Sequence, residues 1–264
     1  MNIFLRELKA NRKSLFIWCI ITALFILLGI AKFSAYYNNP AMVAVLTDLP
    51  KQVLSALNVQ AFNLTTITGF YGLMFTYYAL LLTIAAVMWG TDIITKEERD
   101  KTVEFSLTLP VTRARLVTSK ALAALVNCVA LLLFTWVASI VSAVKYQPDA
   151  EFFRFLSLCM LALFIMQMVF LAVGIFLGCA MKRYKLATST AISLLLVTYF
   201  FSIITALNSK LDFLKYFSPF KYFDPAAMLN QSKIDIVFVG ISAAIVIAGM
   251  AGAYLTYTKR DLYI

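Results

Sequence analysis

Long stretches without any charged residue alternate with short charged segments along this chain of 264 residues. A helix needs about 20 apolar residues to cross a hydrocarbon core of about 30 Å. Continuous apolar runs of this length favour helices, because the strands of a membrane barrel would alternate in segments of about ten residues. The uncharged stretches are 14–31, 52–91, 121–144, 155–181, 186–209 and 236–258.

The window 52–91 is too long for a single span and has two parts of different character. Its first part is interrupted by asparagine, glutamine and threonine, whereas 69–91 is predominantly apolar and aromatic. We therefore place one span at 69–91. The prediction is an all-α, polytopic membrane protein with six transmembrane helices, in a single transmembrane domain that covers 1–264.

Two interpretations fit the residues that precede the first span. Phe4, Leu5 and Leu8 can share one helical face with basic residues around it. This arrangement is typical of a short helix that lies in the membrane interface, and we assign 1–13 to such a helix. An ordinary basic flank of the first span fits the same residues.

The composition agrees with a lipid environment. Of the residues, 62% are hydrophobic and 14% are charged, whereas about a quarter are charged in soluble domains. With six spans both termini share one side, which carries 15 of the 23 Lys and Arg residues. Because basic loops remain in the cytoplasm, we expect a multi-pass protein of the cell (plasma) membrane with both termini cytoplasmic. Anionic headgroups account for the net charge of +10, so no nucleic-acid partner is inferred.

The chain lacks the residues that most catalytic and metal sites need. It contains no histidine, and its four cysteines lie inside predicted spans without CxxC spacing. A Walker-type phosphate-binding loop is also absent from the sequence. We therefore expect no catalytic, metal or cofactor site on this chain, and uphill transport would draw its energy from another subunit. Asn127 and Gln167 are candidates for lining a transport path.

The segment 210–235, on the less basic side, carries a stripe of aromatic residues. Such a stripe is typical of an aromatic belt at the membrane interface. Breaks at Pro219 and Pro225 also fit short helices that re-enter the membrane, which is tolerated where protein or a wet cavity covers the backbone.

The densest charged segment of the chain follows the second span on the basic side. Thr95 and Glu98 have the spacing of a capping box, which predicts a helix that starts near Lys96. It would end near Leu107, because a proline three residues later disfavours helical geometry before it. Thr112 would then cap the third span. An apolar stripe on this short helix would suit a protein partner, and a solvated loop is the alternative.

Residues 69–120 resemble the core of the type-2 permeases of ABC transporters. The similarity consists of an apolar span, a charged turn rich in glutamate, Pro-Val-Thr-Arg at 110–113, and Lys120 at the start of the next span. Asp100 and Lys101 depart from the family pattern, which often has a glycine before the threonine. The outer aromatic segment and a short basic C-terminus also fit, so the resemblance covers most of the chain.

The resemblance implies the transmembrane subunit of an ATP-driven exporter. A cytoplasmic coupling helix would dock into a separate ABC ATP-binding subunit, which would hold ATP and magnesium. A second permease copy or a paralogue would complete a dimer within the membrane lipid. Residues implied for ATPase coupling are Glu97, Glu98, Thr102, Glu104, Leu107, Pro110 and Arg113. Residues implied for an outer gate between the fifth and sixth spans are Phe213, Phe217 and Phe220.

Two other classes of protein remain open at this point. A secondary carrier or channel not driven by ATP would fit six spans, but carriers usually need ionisable groups at mid-membrane, and the predicted spans contain none. A membrane-embedded enzyme or scaffold is the other class, and no paired acids or metal-ligating cluster in the sequence supports catalysis.

Overall fold

The computed structural model describes residues 3–39, 62–102 and 111–259. Regular structure in these ranges is helical throughout, and they contain no strand. The prediction of an all-α fold is confirmed.

Six helices in the described ranges are long and apolar enough to span a membrane, which confirms the predicted number. A 3-10 turn, Val144–Tyr146, follows the third of them, and a 3-10 helix, Ser209–Phe217, follows the fifth. The α-helices are α1 (Ile3–Tyr36), α2 (Ile67–Arg99), α3 (Arg113–Ala143), α4 (Ala150–Ala180), α5 (Tyr184–Leu207), α6 (Pro219–Tyr222), α7 (Pro225–Gln231) and α8 (Ile236–Lys259).

The separate interfacial helix predicted for 1–13 is not formed, because residues 3–13 are the first turns of α1. This stretch contains no glycine or proline, so nothing in it breaks the helix before the apolar span. Glu7 and Asn11, one turn apart, are buried. This end of α1 therefore packs against protein, and the alternative interpretation, a flank continuous with the first span, is the correct one.

The helices extend beyond the uncharged windows that predicted them. α2 runs about two turns past its window to Arg99, and α3 already begins at Arg113. Backbone hydrogen bonds continue through charged residues as long as no residue breaks the helix. The charged ends therefore project from the apolar part as helix.

α2 and α4 pack against each other more extensively than any other two helices. A Cβ atom added at Gly90 would lie 2.6 Å from the carbonyl oxygen of Leu171, and one at Gly174 would lie 2.6 Å from that of Val87. Small residues allow two membrane helices to approach this closely. α1, α5 and α8 are much less buried and expose apolar side chains on the surface of the helix bundle, among them Phe16.

Side-chain contacts show which helix ends lie on the same side. Arg6 near the start of α1 pairs with Glu97 near the end of α2, and Arg113 at the start of α3 reaches the carbonyl oxygen of Thr258 in α8. We call this the basic side. The segment between α5 and α8, 208–235, lies on the opposite side and is called the α5–α8 connection.

Candidate functional site

The capping box predicted at the end of the second span does not form. α2 continues through Thr95 to Arg99 without interruption. The Thr95 hydroxyl donates to the carbonyl oxygen of Thr91 (2.9 Å), one turn earlier in the same helix. The prediction of a helix that starts near Lys96 is therefore wrong over 96–102.

The chain turns immediately after Arg99. The Thr102 amide donates to the carbonyl oxygen of Glu97 (2.8 Å), and Lys101 has a positive φ of 55°. Glu98 and Thr102 are half-buried at this turn, and their role in ATPase coupling stays a prediction. The predicted coupling residues that lie outside the described residues are Glu104, Leu107 and Pro110.

Thr112 caps α3 as predicted, because its hydroxyl accepts a hydrogen bond from the Arg115 amide (3.3 Å). Arg113 donates from its guanidinium to the carbonyl oxygens of Tyr257 and Thr258 (3.3 and 3.2 Å). These carbonyls lie in the last turn of α8, where a cation interacts favourably with the helix dipole. Arg113 therefore connects α3 to the last span, and its coupling role stays a prediction.

Glu97, another predicted coupling residue, joins three helices through one carboxylate. Its Oε1 accepts a hydrogen bond from Arg6 Nη2 on α1 (2.9 Å). Its Oε2 lies 3.0 Å from Lys120 Nζ on α3. The Glu97 side chain is only 8% exposed, so this residue is an internal ion-pair partner.

A second ion pair joins α1 to α2 beside the first. Glu7 on α1 is paired with Lys96 on α2, and Arg6 also lies 3.2 Å from Glu7. Three cations and two anions are thus brought together on the basic side. The ion cluster, as we call this group, consists of Arg6, Glu7, Lys96, Glu97 and Lys120.

Burial distinguishes the ion cluster from surface ion pairs. The side chains of Glu7 and Lys120 are 0% and 1% exposed, whereas those of Arg99 and Asp92, which pair on α2, are 48% and 38% exposed. Removing one partner of a buried pair leaves the other charge uncompensated and costs about 3–5 kcal/mol. Exposed pairs contribute about 0–1 kcal/mol.

A cavity of about 630 Å³ opens beside the ion cluster, between the first turns of α1 and the last turns of α2. Both signs of charge line it, including Lys13 and Asp100 in addition to members of the ion cluster. α1 packs extensively along α3 and much less against α2. Ion pairs are therefore an important part of what holds α1 to α2 on this side.

The α5–α8 connection folds back along α5. The Ser218 hydroxyl donates to the carbonyl oxygen of Thr198 (2.6 Å), nine residues before α5 ends, a distance of about 13 Å along the helix. Phe220 packs against Tyr199 and Phe170, with ring centroids 5.3 and 5.5 Å away. The predicted short helices, broken at two prolines, are confirmed, and the middle of the connection lies between spans.

The three residues predicted to form an outer gate do not lie together. Phe220 is 8% exposed, whereas Phe213 and Phe217 are 57% and 63% exposed. Of the three, Phe220 is the residue that packs against the spans. A gate at these residues stays a prediction.

A comparison with known protein families gives a match over nearly the whole chain. The family described as ABC-2 family transporter protein matches residues 1–262. The chain belongs to this family. No curated protein matches it. Membership makes this ABC-2 transporter protein a permease-type transport component of a membrane, in agreement with its six apolar helices.

The candidates for path lining in this ABC-2 transporter protein, Asn127 and Gln167, are buried within spans. Among the described residues, neither amide atom of Gln167 has a hydrogen-bond partner, and Nδ2 of Asn127 has none. Burying an unpaired amide in apolar surroundings costs roughly 2–7 kcal/mol. Gln167 lies one turn from Phe170, which contacts the α5–α8 connection, and path lining by both residues stays a prediction.

Sequence reasoning finds only part of the ion cluster of this ABC-2 transporter protein. In the sequence, Arg6 and Lys120 contribute to the count of basic residues, Lys120 also belongs to the family resemblance, and Glu7 belongs to no motif. A usable signal is present, because Glu7 is an isolated acid in a basic flank and Lys120 lies seven residues inside α3. A charge at such a position needs a partner when it is buried.

Proposed function

We propose that this chain is the permease subunit of an ABC exporter, which forms the translocation path and is driven by a separate ATP-binding subunit. Family membership supports the transport role. ATP and magnesium would bind to the partner, and a second permease copy or a paralogue would complete the dimer. The basic side would be cytoplasmic, because it carries 15 of the 23 Lys and Arg residues.

The observation that carries the coupling proposal is the position of Glu97. It lies in the last turn of α2, directly before the connection to α3, and it is ion-paired to both α1 and α3. A force applied to this connection by an ATP-binding subunit would therefore reach three spans at once. The coupling segment would include Glu104 and Leu107, with Arg113 at the start of α3.

Co-purification with the ATP-binding subunit tests the proposal. Leu107→Asp would place an unpaired charge in an apolar docking contact, so the ATP-binding subunit should be lost from the complex and transport should stop. Lys9→Asp, at an exposed position near the start of α1, is the matched control and should keep both. A Leu107→Asp protein with a stoichiometric ATP-binding subunit and normal turnover would contradict the proposal.

A further inference from the structure

We propose that the ion cluster is a latch between two helix pairs, α1–α3 and α2–α4, and that loss of the Glu97 charge opens the basic side between them. The latch itself is a property of this chain alone. Its use in coupling rests on the proposed function.

The two helix pairs follow from the packing. α2 and α4 approach each other at glycines, with no room for a Cβ atom at Gly90 or Gly174. α1 packs far more extensively against α3 than against α2, and α3 packs to a lesser extent against both α2 and α4. On the basic side, α1 should therefore separate from α2 more readily than from α3.

Three ion pairs of the cluster cross from one helix pair to the other. Arg6 and Lys120, on the α1–α3 side, each contact one oxygen of Glu97 on α2. In the opposite sense, Lys96 on α2 is paired with Glu7 on α1. Since one carboxylate accepts two of the three crossing contacts, the latch depends chiefly on Glu97.

Charge balance explains why the latch would open instead of merely loosening. The cluster has three cations and two anions, and neutralising Glu97 would leave Arg6, Lys96 and Lys120 with Glu7 as the one remaining anion of the cluster. Lys120, whose side chain is 1% exposed, would then carry a positive charge that its low-dielectric surroundings screen poorly. The cavity between α1 and α2 provides a place where water could enter and solvate the separated charges.

Distance measurements on the isolated chain test the latch. Spin labels at Lys9 on α1 and Lys101 after α2, both exposed, would be placed in a variant whose four native cysteines are replaced. Glu97→Gln should shift the distance distribution to longer values and broaden it. A second label pair, Lys9 with Arg115 on α3, should not change, because it lies within one helix pair.

Asp92→Asn is the matched control for the loss of one negative charge. Asp92 pairs with Arg99 on the same helix, so its loss removes no contact between the helix pairs and should leave the Lys9–Lys101 distances unchanged. An equal shift in Asp92→Asn and Glu97→Gln would overturn the proposal, as would unchanged distances in Glu97→Gln.

Two further variants keep the test decisive if Glu97→Gln does not purify as a folded protein. Glu7→Gln removes the crossing contact to Lys96 and leaves three cations with one anion, so a shift to longer distances is expected. Glu97→Asp keeps the charge and should retain most of the wild-type distribution. Wild-type distances in Glu7→Gln would overturn the latch in that case.

Reconstitution with an ATP-binding subunit separates the latch from the proposed function. If the subunit binds, Glu97→Gln should hydrolyse ATP while transporting less per ATP than the wild type. If no ATP-binding subunit binds the wild-type chain, the proposed function fails, and the distance shift in the isolated chain still decides the latch.

Discussion

Gly90 and Gly174 face each other where α2 packs on α4, and neither has room for a Cβ atom. Gly240, on the exposed face of α8, has nothing within 4 Å of such an atom. Helices in a membrane associate through packing and hydrogen bonds, without a hydrophobic driving force between them. The available space should therefore decide what a single methyl group does at each position.

We predict that Gly174→Ala destabilises the protein, because its methyl group would lie 2.6 Å from a backbone oxygen of α2. Overpacking of this kind costs about 1–3 kcal/mol, which should lower the thermal midpoint in detergent. Gly240→Ala is the control and should be neutral or slightly stabilising, since alanine favours helix. If Gly174→Ala were as stable as the wild type, α4 would be able to move away from α2 without a loss of stability, and the prediction would be wrong.

Trp89 is a residue whose polar atom is paired across two spans. Its indole nitrogen donates to Ser14 Oγ (2.9 Å), which joins α2 to α1. Ser14→Ala should cost about 0.5–2 kcal/mol in unfolding free energy, the range for hydrogen bonds between membrane helices. The control is Ser34→Ala, whose hydroxyl bonds to its own helix at Ala31 and should matter less. Equal losses in the two variants would argue against a contribution from the interhelical bond.

At the scale of elements, the α5–α8 connection is anchored at its middle. Ser218 is bonded to the backbone of α5, and Phe220 is packed against α4 and α5. Tyr222 stacks on Phe238 at the start of α8, with an angle of 9° between the rings. Any gating by this connection would therefore require its buried middle part to move relative to three spans.

Phe220→Ala should loosen the connection, while Phe217→Ala should not. The two residues are three positions apart in the same connection, but Phe220 is 8% and Phe217 63% exposed. Loss of a buried phenylalanine costs about 3–5 kcal/mol, so amide hydrogen exchange over 209–222 should become faster in Phe220→Ala. Comparable exchange in both variants would mean that the ring contacts with Phe170 and Tyr199 do not hold the connection.

At the scale of the whole molecule, the distribution of charge between its two sides predicts the orientation. The basic side holds the ion cluster, the end of α8 and the turn between α4 and α5. The opposite side holds the α5–α8 connection. Basic segments next to spans remain in the cytoplasm, so the ion cluster should lie near the inner leaflet.

Cysteine accessibility in intact cells tests this orientation. In a cysteine-free variant, a cysteine at Phe213 should react with an impermeant reagent added outside. Cysteines at Lys9 and Asp100 should react only after the cells are permeabilised. All three positions are exposed, so differences in burial should not explain the result. External labelling at Asp100 would reverse the predicted orientation.

Several features follow from the sequence by itself, because their causes are local. The number of apolar runs that are long enough to cross the bilayer sets the number of spans, and six such helices are found in the described residues. Thr112 caps α3 through its own hydroxyl, and Pro219 and Pro225 start new short helices because proline is well tolerated in a first turn. These outcomes depend on residues a few positions apart.

Only the tertiary structure decided where the helices end and which charges meet. The residues 3–13 have the pattern of an interfacial helix, and Thr95 has that of a cap, yet both belong to continuous spans. Glu97 binds Arg6, 91 positions away in the chain. Whether a charge is solvated or buried depends on the helices packed around it, and a buried charge must find its partner there. Local pattern carries no information about that neighbourhood, so the ion cluster emerges only when α1, α2 and α3 are brought together.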